Sequence, residues 1–164
     1  MKNLDGHRLL AEKGLDHFKA ASIFGALSDD AITFLLSRGQ VCSLADGEEL
    51  FQPGSAGDSF VVVLEGELEL VQERDGVTTL LKVAQVGEQL GYVSMIGLFD
   101  RFGIGRGRGE TIVLEVNSDL YYQFHLEFPF DFGILMLNLS RDMARTIYTI
   151  ATTGTQAAID GALA

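Results

Sequence analysis

Residues 1–46 place their hydrophobic side chains three or four positions apart, which is the spacing of an amphipathic helix. Glycines are few in this segment, and Ser28 stands where its hydroxyl can cap a second helix. The pattern predicts a helical start to the chain, built on Leu9, Leu10, Leu15, Phe18, Ile23, Phe24, Leu27, Ile32, Leu35 and Leu36.

From Gly47 to Phe124 the pattern changes to short hydrophobic or alternating runs, of which residues 60–64 and 68–71 are the clearest. Glycines or polar residues bound each run, and this arrangement predicts antiparallel strands. Hairpin turns are predicted at Glu65-Gly66-Glu67 and Arg74-Asp75-Gly76, because glycine tolerates the positive φ that a tight turn needs.

After Pro129, hydrophobic residues return to steps of three and four over about twenty residues, which predicts one long helix. The helix carries a narrow stripe that predicts a homodimer through this C-terminal helix, with packing on the chain's own domain as the alternative. Residues 154–164 are small and polar and are predicted to form a flexible tail. The stripe consists of Leu135, Leu139, Met143, Ile147 and Ile150.

Composition limits the chain to one folded domain, since its 164 residues are 47% hydrophobic and 21% charged, an ordinary globular balance. The formal net charge of −11 excludes nucleic-acid binding by bulk charge, so we expect no direct nucleic-acid partner. The N-terminal residues lack the apolar core of a signal peptide, and no apolar run approaches the ~20 residues that span a bilayer. With Cys42 as its single cysteine, the chain is expected to be cytoplasmic and to have no membrane partner.

Residues that could serve catalysis are scattered along the chain. His7, His17 and His125 fall on different predicted elements, with no His-x-His pair to hold a metal. Cys42 lies in an apolar stretch, where a free cysteine is usually a small buried hydrophobe. The sequence also lacks a G-x-S-x-G elbow and a glycine-rich phosphate loop ending in lysine. We therefore expect a protein that is not an enzyme and has no metal site.

The segment from Gly87 to Thr111 is the most informative one for function. A strand runs into glycines and then into a short helical turn, so several backbone N–H groups can point at one anion. Arg101, Arg106 and Arg108 fall within eight positions of a strongly acidic chain, and the guanidinium group matches phosphate oxygens. The segment predicts either a phosphate site or a flexible hairpin tip whose arginines keep it soluble.

Five short motifs and Gly66 stand in a fixed order along the chain. The motifs are Ile23-Phe24-x-x-Leu27-Ser28, Gly47-Glu48-x-Leu50-Phe51-x-Pro53-Gly54, Asp58-x-Phe60-x-Val62, Gly87-x-x-Leu90-Gly91 and Leu139-Ser140-x-x-Met143-Ala144-Arg145. Together they resemble the cyclic nucleotide-binding domain family, which includes the sensor domains of catabolite activator and Fnr-type regulators and the regulatory subunits of protein kinase A.

The resemblance implies a mainly β fold with flanking helices. Its core would be a double-stranded β-helix jelly roll, preceded by N-terminal helices and followed by a long C-terminal dimerisation helix. Residues 20–153 would form this domain, with residues 1–19 as an N-terminal helical extension.

The resemblance also implies a ligand, namely cyclic AMP, cyclic GMP or another small anion held in a phosphate cassette. Base-side candidates are expected on the C-terminal helix. The matching cassette positions are Gly91, Tyr92, Val93, Ser94, Arg106, Arg108, Gly109 and Thr111, and the base-side candidates are Tyr148, Thr149 and Thr152.

Two positions depart from the family's pattern. Tyr92 stands where family members have a glutamate that accepts a hydrogen bond from the ribose 2′-hydroxyl, and Glu110 stands where they have an alanine. Arg106 and Arg108 both remain candidates for the phosphate arginine. Arg108 is the predicted one because its spacing to Thr111 best matches the end of the cassette, although its span from Tyr92 is longer than usual for the family.

These features predict a stand-alone sensor or regulatory module that binds a small phosphate-bearing ligand and signals through its C-terminal helix. The alternative is a degenerate domain that binds no ligand and works as a dimeric protein-interaction scaffold, and a cupin-like metalloenzyme is the least favoured interpretation. Because no helix-turn-helix pattern follows the long helix, any downstream effect is expected to pass through a protein partner.

Overall fold

The computed structural model of the protein describes the backbone of residues 1–162 and the side chains of residues 1–152. Within this part of the chain, antiparallel strands form a central sheet, and helices from both ends of the sequence flank it. The predicted flexible tail over residues 154–164 lies outside the residues whose side chains are described. None of the described helices is both long enough and apolar enough to cross a membrane.

Helices form most of the N-terminal part of the chain, as predicted, and side chains cap two of them. The Asp5 carboxylate accepts hydrogen bonds from two backbone N–H groups of the first turn that follows it. The Ser28 hydroxyl accepts one from the N–H of Ala31 at 3.3 Å, which confirms its predicted role as a cap. These elements are α1 (Gly6–Lys13), α2 (Leu15–Lys19), a short 3-10 helix (Ser22–Phe24) and α3 (Asp29–Arg38).

The strands of the described chain pair into an antiparallel sheet with the order β1-β2-β7-β4-β5, to which β3 adds on β7 and β6 on β4. β1 lies where the sequence predicts only helix, because its partner is the distant β2 and no local pattern reveals such a pairing. The strands are β1 (Lys2–Leu4), β2 (Gln40–Leu44), β3 (Glu49–Phe51), β4 (Ser59–Arg74), β5 (Val77–Ala84), β6 (Gln89–Leu90) and β7 (Ile104–Asn117).

The long strand β4 passes straight through Glu65-Gly66-Glu67, so the predicted hairpin turn there is wrong. The register between β4 and β7 shifts at this point, and Gly66 takes a φ of +75° in the bulge. A Cβ on Gly66 would lie 2.2 Å from the carbonyl oxygen of Glu110, so both φ and space require glycine. The other predicted turn, Arg74-Asp75-Gly76, is confirmed and joins β4 to β5.

Three helices complete the fold. α4 (Tyr92–Gly97) is short and follows β6. α5 (Ser118–Glu127) follows β7, so the prediction of strands as far as Phe124 is wrong over the start of this helix, which the Asn117 side chain caps. The predicted long helix is confirmed as α6 (Pro129–Ala162), which begins at a proline, a residue suited to the first helical turn because its missing N–H needs no partner there.

The core of the described chain contains two hydrophobic clusters, one beneath the helices and one inside the sheet. In β4, Phe60 and Val62 belong to the first cluster, whereas Val61 and Val63 belong to the second. Burial on both faces explains the unbroken hydrophobic run of this strand. Cys42 lies in the second cluster, and burial raises the pKa of its thiol to about 11, which makes it an inert part of the core.

Candidate ligand-binding cavity

A cavity of about 530 Å³ lies between the sheet, the start of α4 and the middle of α6. Its volume is within the range of small-molecule sites, and hydrophobic side chains form most of its wall. The lining residues are Phe51, Leu70, Leu80, Leu81, Lys82, Gln89, Leu90, Gly91, Tyr92, Val93, Ser94, Arg101, Phe102, Gly103, Asp142, Met143, Thr146, Ile147 and Ile150.

The turn from β6 into α4 forms one wall of this cavity. Gly91 adopts a φ of +87° at the turn, and Tyr92, Val93 and Ser94 follow it along the wall. The left-handed backbone at Gly91 reverses the chain direction, which is what brings the first residues of α4 against the cavity. The structure thus brings together these four residues of the predicted cassette.

Arg101 is the arginine that reaches the cavity, and it is 5% exposed. Its Nη1 donates to the carbonyl oxygen of Gly91 at 2.7 Å, and its Nη2 donates to the carbonyl oxygen of Ser59 at 2.6 Å and to the Ser59 hydroxyl at 2.9 Å. The guanidinium carbon also lies 4.6 Å from the ring centre of Phe51, a cation–π distance. These contacts hold the guanidinium rigidly against the turn at Gly91.

The charge of Arg101 is only partly compensated by the protein. Burial lowers the pKa of its guanidinium, while the nearby carboxylates of Glu115 and Asp58 act in the opposite direction. None of the ion pairs among the described residues includes Arg101. Its Nε is buried and has no hydrogen-bond partner within the described part of the chain. A buried donor without a partner is costly, and because this atom has almost no exposed surface, an acceptor from the cavity reaches it only after a neighbouring group moves.

The two arginines predicted for the phosphate lie elsewhere. Arg106 pairs with Glu69, and Arg108 pairs with Glu67 at 3.3 Å while staying 58% exposed. In the register of the sheet these residues face each other directly across β4 and β7, so their side chains share one face and form cross-strand ion pairs. Neither arginine lines the cavity, whereas Arg101 does.

The end of the predicted cassette is also displaced. The backbone N–H of Gly109 donates to the Asp46 carboxylate at 2.7 Å, and the Thr111 hydroxyl donates to the carbonyl oxygen of Glu67 at 2.7 Å. Both contacts serve the fold around the bulge in β4, and neither residue lines the cavity.

The cavity-facing side of α6 differs from the predicted one. Met143, Ile147 and Ile150 line the cavity, whereas Tyr148 is 72% exposed and points elsewhere. Successive helical residues are about 100° apart, so a shift of one position turns a side chain away from the wall. The predicted base-side residues Tyr148, Thr149 and Thr152 are therefore outside the cavity wall, and both threonines donate to carbonyls of the helix itself.

The hydrophobic stripe of α6 is only partly covered by the chain's own domain, since Met143, Ile147 and Ile150 stay 38%, 59% and 67% exposed. Leu135 and Leu139 are fully buried in the core, and Met143, Ile147 and Ile150 continue the same stripe along the cavity. The buried start of the stripe serves the core, and a homodimer through α6 stays a prediction.

A polar bridge that the sequence did not reveal ties α6 to the sheet beside the cavity. One carboxylate oxygen of Asp142 accepts from the Lys82 ammonium at 3.2 Å and from the Gln89 side-chain amide at 2.9 Å. Lys82 is in β5 and Gln89 is in β6, so three elements meet at this carboxylate. The residues are too far apart in sequence for any local motif to link them.

Tyr92 occupies the position of the missing glutamate. Its hydroxyl lies 3.6 Å from the Met143 sulfur, and burial, followed by the charge of Asp142, raises the pKa of the phenol. The group is neutral at physiological pH because its pKa lies above its ordinary value of about 10. The cavity therefore has a neutral hydroxyl where the cassette pattern would provide a charged acceptor.

The described residues include no group of three or more histidine, cysteine or acidic side chains that could hold a metal ion. The cavity combines apolar walls with one buried guanidinium and a polar bridge at its edge.

Comparison with known proteins identifies relatives of this chain. The family model of the cyclic nucleotide-binding domain matches residues 41–126, just over half of the chain. An uncharacterized ABC transporter ATP-binding protein of Mycobacterium tuberculosis is 38% identical over 69 residues, which make up 42% of this chain. The match covers only 21% of that curated relative.

Solved structures share the fold. The N-terminal domain of a transcriptional regulator from Streptomyces coelicolor A3(2) is 26% identical and superposes with a TM-score of 0.67, covering 80% of this chain and 94% of that one. A cyclic nucleotide-binding domain from Methylobacillus flagellatus is 19% identical with a TM-score of 0.74, covering 93% and 88%. The predicted fold class, a mainly β jelly roll with flanking helices and a long C-terminal helix, is confirmed.

Proposed function

The chain belongs to the cyclic nucleotide-binding domain family, and from this premise we propose that it is a regulatory module that binds a small phosphate-bearing ligand at Arg101 and signals through α6. The observation that carries the proposal is the buried guanidinium in the cavity wall, whose Nε lacks a partner among the described residues. A phosphate oxygen that reached this guanidinium from the cavity would gain a charge-assisted hydrogen bond, once the protein atoms that cover Nε move aside.

The position of α6 supports its role as the signalling element. Met143, Ile147 and Ile150 form one wall of the cavity, and Asp142 links the helix to β5 and β6. A ligand between α6 and the sheet contacts both sides of this bridge. Binding shifts the equilibrium between two positions of α6. The size of this shift is set by the difference between the ligand's affinities for the two positions.

One observation favours the second candidate function, a scaffold that binds no ligand. The two amino groups of Arg101 are already bonded to Gly91 and Ser59, so the residue also works as a structural pin. In that case Arg101 stabilises the turn into α4, and a protein partner is the only binding partner of the domain.

Calorimetry against cyclic mono- and dinucleotides separates these candidates. We expect cyclic AMP to bind at tens of micromolar or weaker and to lose little affinity in its 2′-deoxy form, because Tyr92 provides no charged acceptor. Tyr92→Glu is expected to tighten cyclic AMP by about one factor of ten and to restore discrimination against the 2′-deoxy form. Sub-micromolar binding to the unmodified protein with a large 2′-deoxy loss contradicts this expectation, and the absence of binding to the whole panel favours the scaffold.

We further expect a homodimer through the outward face of α6. Leu137, Ala144 and Tyr148 lie on one side of the helix, and Leu137 and Tyr148 are 55% and 72% exposed. In sedimentation velocity, Tyr148→Asp is expected to yield monomers, because the charge would have to be buried at the interface. Thr149→Asp, one position round the helix, is the control and should leave the dimer intact. A wild-type protein that is monomeric at high micromolar concentration excludes this dimer.

A further inference from the structure

Hydrophobic side chains dominate the cavity wall and continue to its mouth. Leu80, Ile147 and Ile150 are 54%, 59% and 67% exposed there. A hydrocarbon or aromatic body that contacts them removes apolar surface from water on both partners. The hydrophobic wall comprises Phe51, Leu70, Leu80, Leu81, Leu90, Val93, Phe102, Met143, Ile147 and Ile150.

The polar groups of the cavity are largely occupied by contacts within the protein. Lys82 and Gln89 both donate to Asp142, and the Tyr92 hydroxyl is directed at the Met143 sulfur. A ligand with a sugar and a heterocyclic base brings many polar atoms that lose water on entry. Apart from the Ser94 and Thr146 hydroxyls and the N–H groups at the start of α4, few protein groups are available to replace that water, so this wall is poorly matched to a ligand with many polar atoms.

Two positively charged side chains, Lys82 and Arg101, line the cavity, and they differ in their ion pairs with carboxylates. Lys82 is paired with Asp142, whereas no ion pair among the described residues includes Arg101. Glu115 is connected to Arg101 only through the Ser59 hydroxyl, which accepts from the guanidinium and donates to Glu115 at 2.6 Å. Arg101 also has the buried Nε that lacks an acceptor. Because Glu115 and Asp58 compensate Arg101 only in part, the charges around the cavity suit a ligand with one negative group at most.

We propose that the ligand is an amphiphilic anion, with one carboxylate or phosphate head at Arg101 and an apolar body along β5 and α6. This inference rests on the proposed function, because it takes Arg101 as the partner of the anion, and it names the ligand class of the same site. Of the wall's residues, Leu81 contacts the body of the ligand at the rim of β5, where substitution is compatible with folding because the side chain is 44% exposed.

Calorimetry on the full chain with four probes tests the proposal. The probes are decanoate, decyl phosphate, decanol and cyclic AMP, with the amphiphiles kept below their micelle-forming concentrations. We expect at least one of the two anions to bind at least tenfold more tightly than decanol and than cyclic AMP. The stronger of the two anions identifies the head group as carboxylate or phosphate.

A matched pair of variants on β5 locates the apolar body. Leu81→Ser is expected to weaken the stronger anion about three- to tenfold, whereas Val77→Ser, on the same strand and 63% exposed but outside the cavity, should change nothing. Equal losses in the two variants, or decanol binding as tightly as the anions, overturn the inference.

Arg101→Gln separates this inference from the proposed function. If cyclic AMP binds more tightly than either amphiphile and weakens in this variant, the ligand class is wrong and the proposed function stands. If none of the four probes binds, the ligand class is overturned, and the panel of cyclic mono- and dinucleotides decides the proposed function separately. If binding occurs but does not respond to the variant, both are overturned.

Discussion

Replacement of Arg101 by glutamine is expected to lower the affinity for any anionic ligand of the cavity by about a hundredfold. Arg101 supplies the buried charge of the cavity wall and the Nε donor without a partner in the described chain. A hydrogen bond between charged groups contributes about 1.5–3 kcal/mol, and each 1.4 kcal/mol is about tenfold in affinity. Calorimetry with cyclic AMP and decyl phosphate measures the effect.

Arg106→Gln and Arg108→Gln are the matched controls for this result. Both side chains pair with glutamates across the β4–β7 ladder, outside the cavity, so we expect the affinity to change by less than about twofold. Arg101→Lys keeps the positive charge but not the planar set of donors. We expect its loss of anion affinity to lie between that of Arg101→Gln and that of the two controls. If Arg108→Gln abolishes binding and Arg101→Gln preserves it, the assignment of the anion to Arg101 is wrong.

Arg101→Gln should also lower the free energy of unfolding by about 1–3 kcal/mol, because carbonyl oxygens of Gly91 and Ser59 lose a donor. Urea denaturation measures this change and shows that the binding experiments use folded protein.

Gly91→Ala is expected to lower both stability and affinity. At a φ of +87°, a Cβ would lie 2.3 Å from Nη1 of Arg101 and 3.3 Å from the carbonyl oxygen of Ser59. The side chain must displace the guanidinium, so the expected loss is about 1–2 kcal/mol for the left-handed backbone and about 1–3 kcal/mol for the disrupted hydrogen bonds. The affinity of Gly91→Ala for the anionic ligand should be at least tenfold lower than that of the unmodified protein.

Gly76→Ala is the control variant, because it measures the destabilisation that alanine causes at a positive φ without a contact to Arg101. Gly76 has a φ of +76°, and a Cβ there would meet no described atom within 4 Å. Replacing glycine by alanine reduces the entropy of the unfolded chain equally in Gly91→Ala and Gly76→Ala. The difference between their free energies of unfolding therefore measures the effect of the contact with Arg101. Urea denaturation and calorimetry should show a smaller destabilisation in Gly76→Ala and unchanged binding. Equal destabilisation with binding retained in Gly91→Ala contradicts the role of this close contact.

Local patterns were sufficient for most elements of the fold. Interactions between residues close in sequence determine the Ser28 cap, the turn at residues 74–76 and the long helix from Pro129. Such interactions can be predicted from residue type and spacing. Gly66 was identified as a position of positive φ, but its role was misassigned, because a bulge in a continuous strand depends on the strand that pairs with it.

Arg101 was visible in the sequence as one of three neighbouring arginines, and one signal favoured it. Tyr92 and Arg101 are nine positions apart, whereas the span from Tyr92 to Arg108 is sixteen, longer than usual for the family. Alternation along a strand shows that Arg106 and Arg108 share a face, but not which face is turned to the cavity. That choice depends on Glu67 and Glu69 of the paired strand.

The sequence by itself determined the succession of helices, strands and long helix, the family and the position of the turn at Gly91, since these depend on residues close together in the chain. Only the tertiary structure decided that Arg101 is the cavity's arginine and that Met143, Ile147 and Ile150 face it. The bridge of Asp142 with Lys82 and Gln89 is likewise a tertiary feature. The physical reason is that register between strands and rotation of a helix about its axis are set by contacts between residues distant in sequence, and a shift of one residue redirects every side chain.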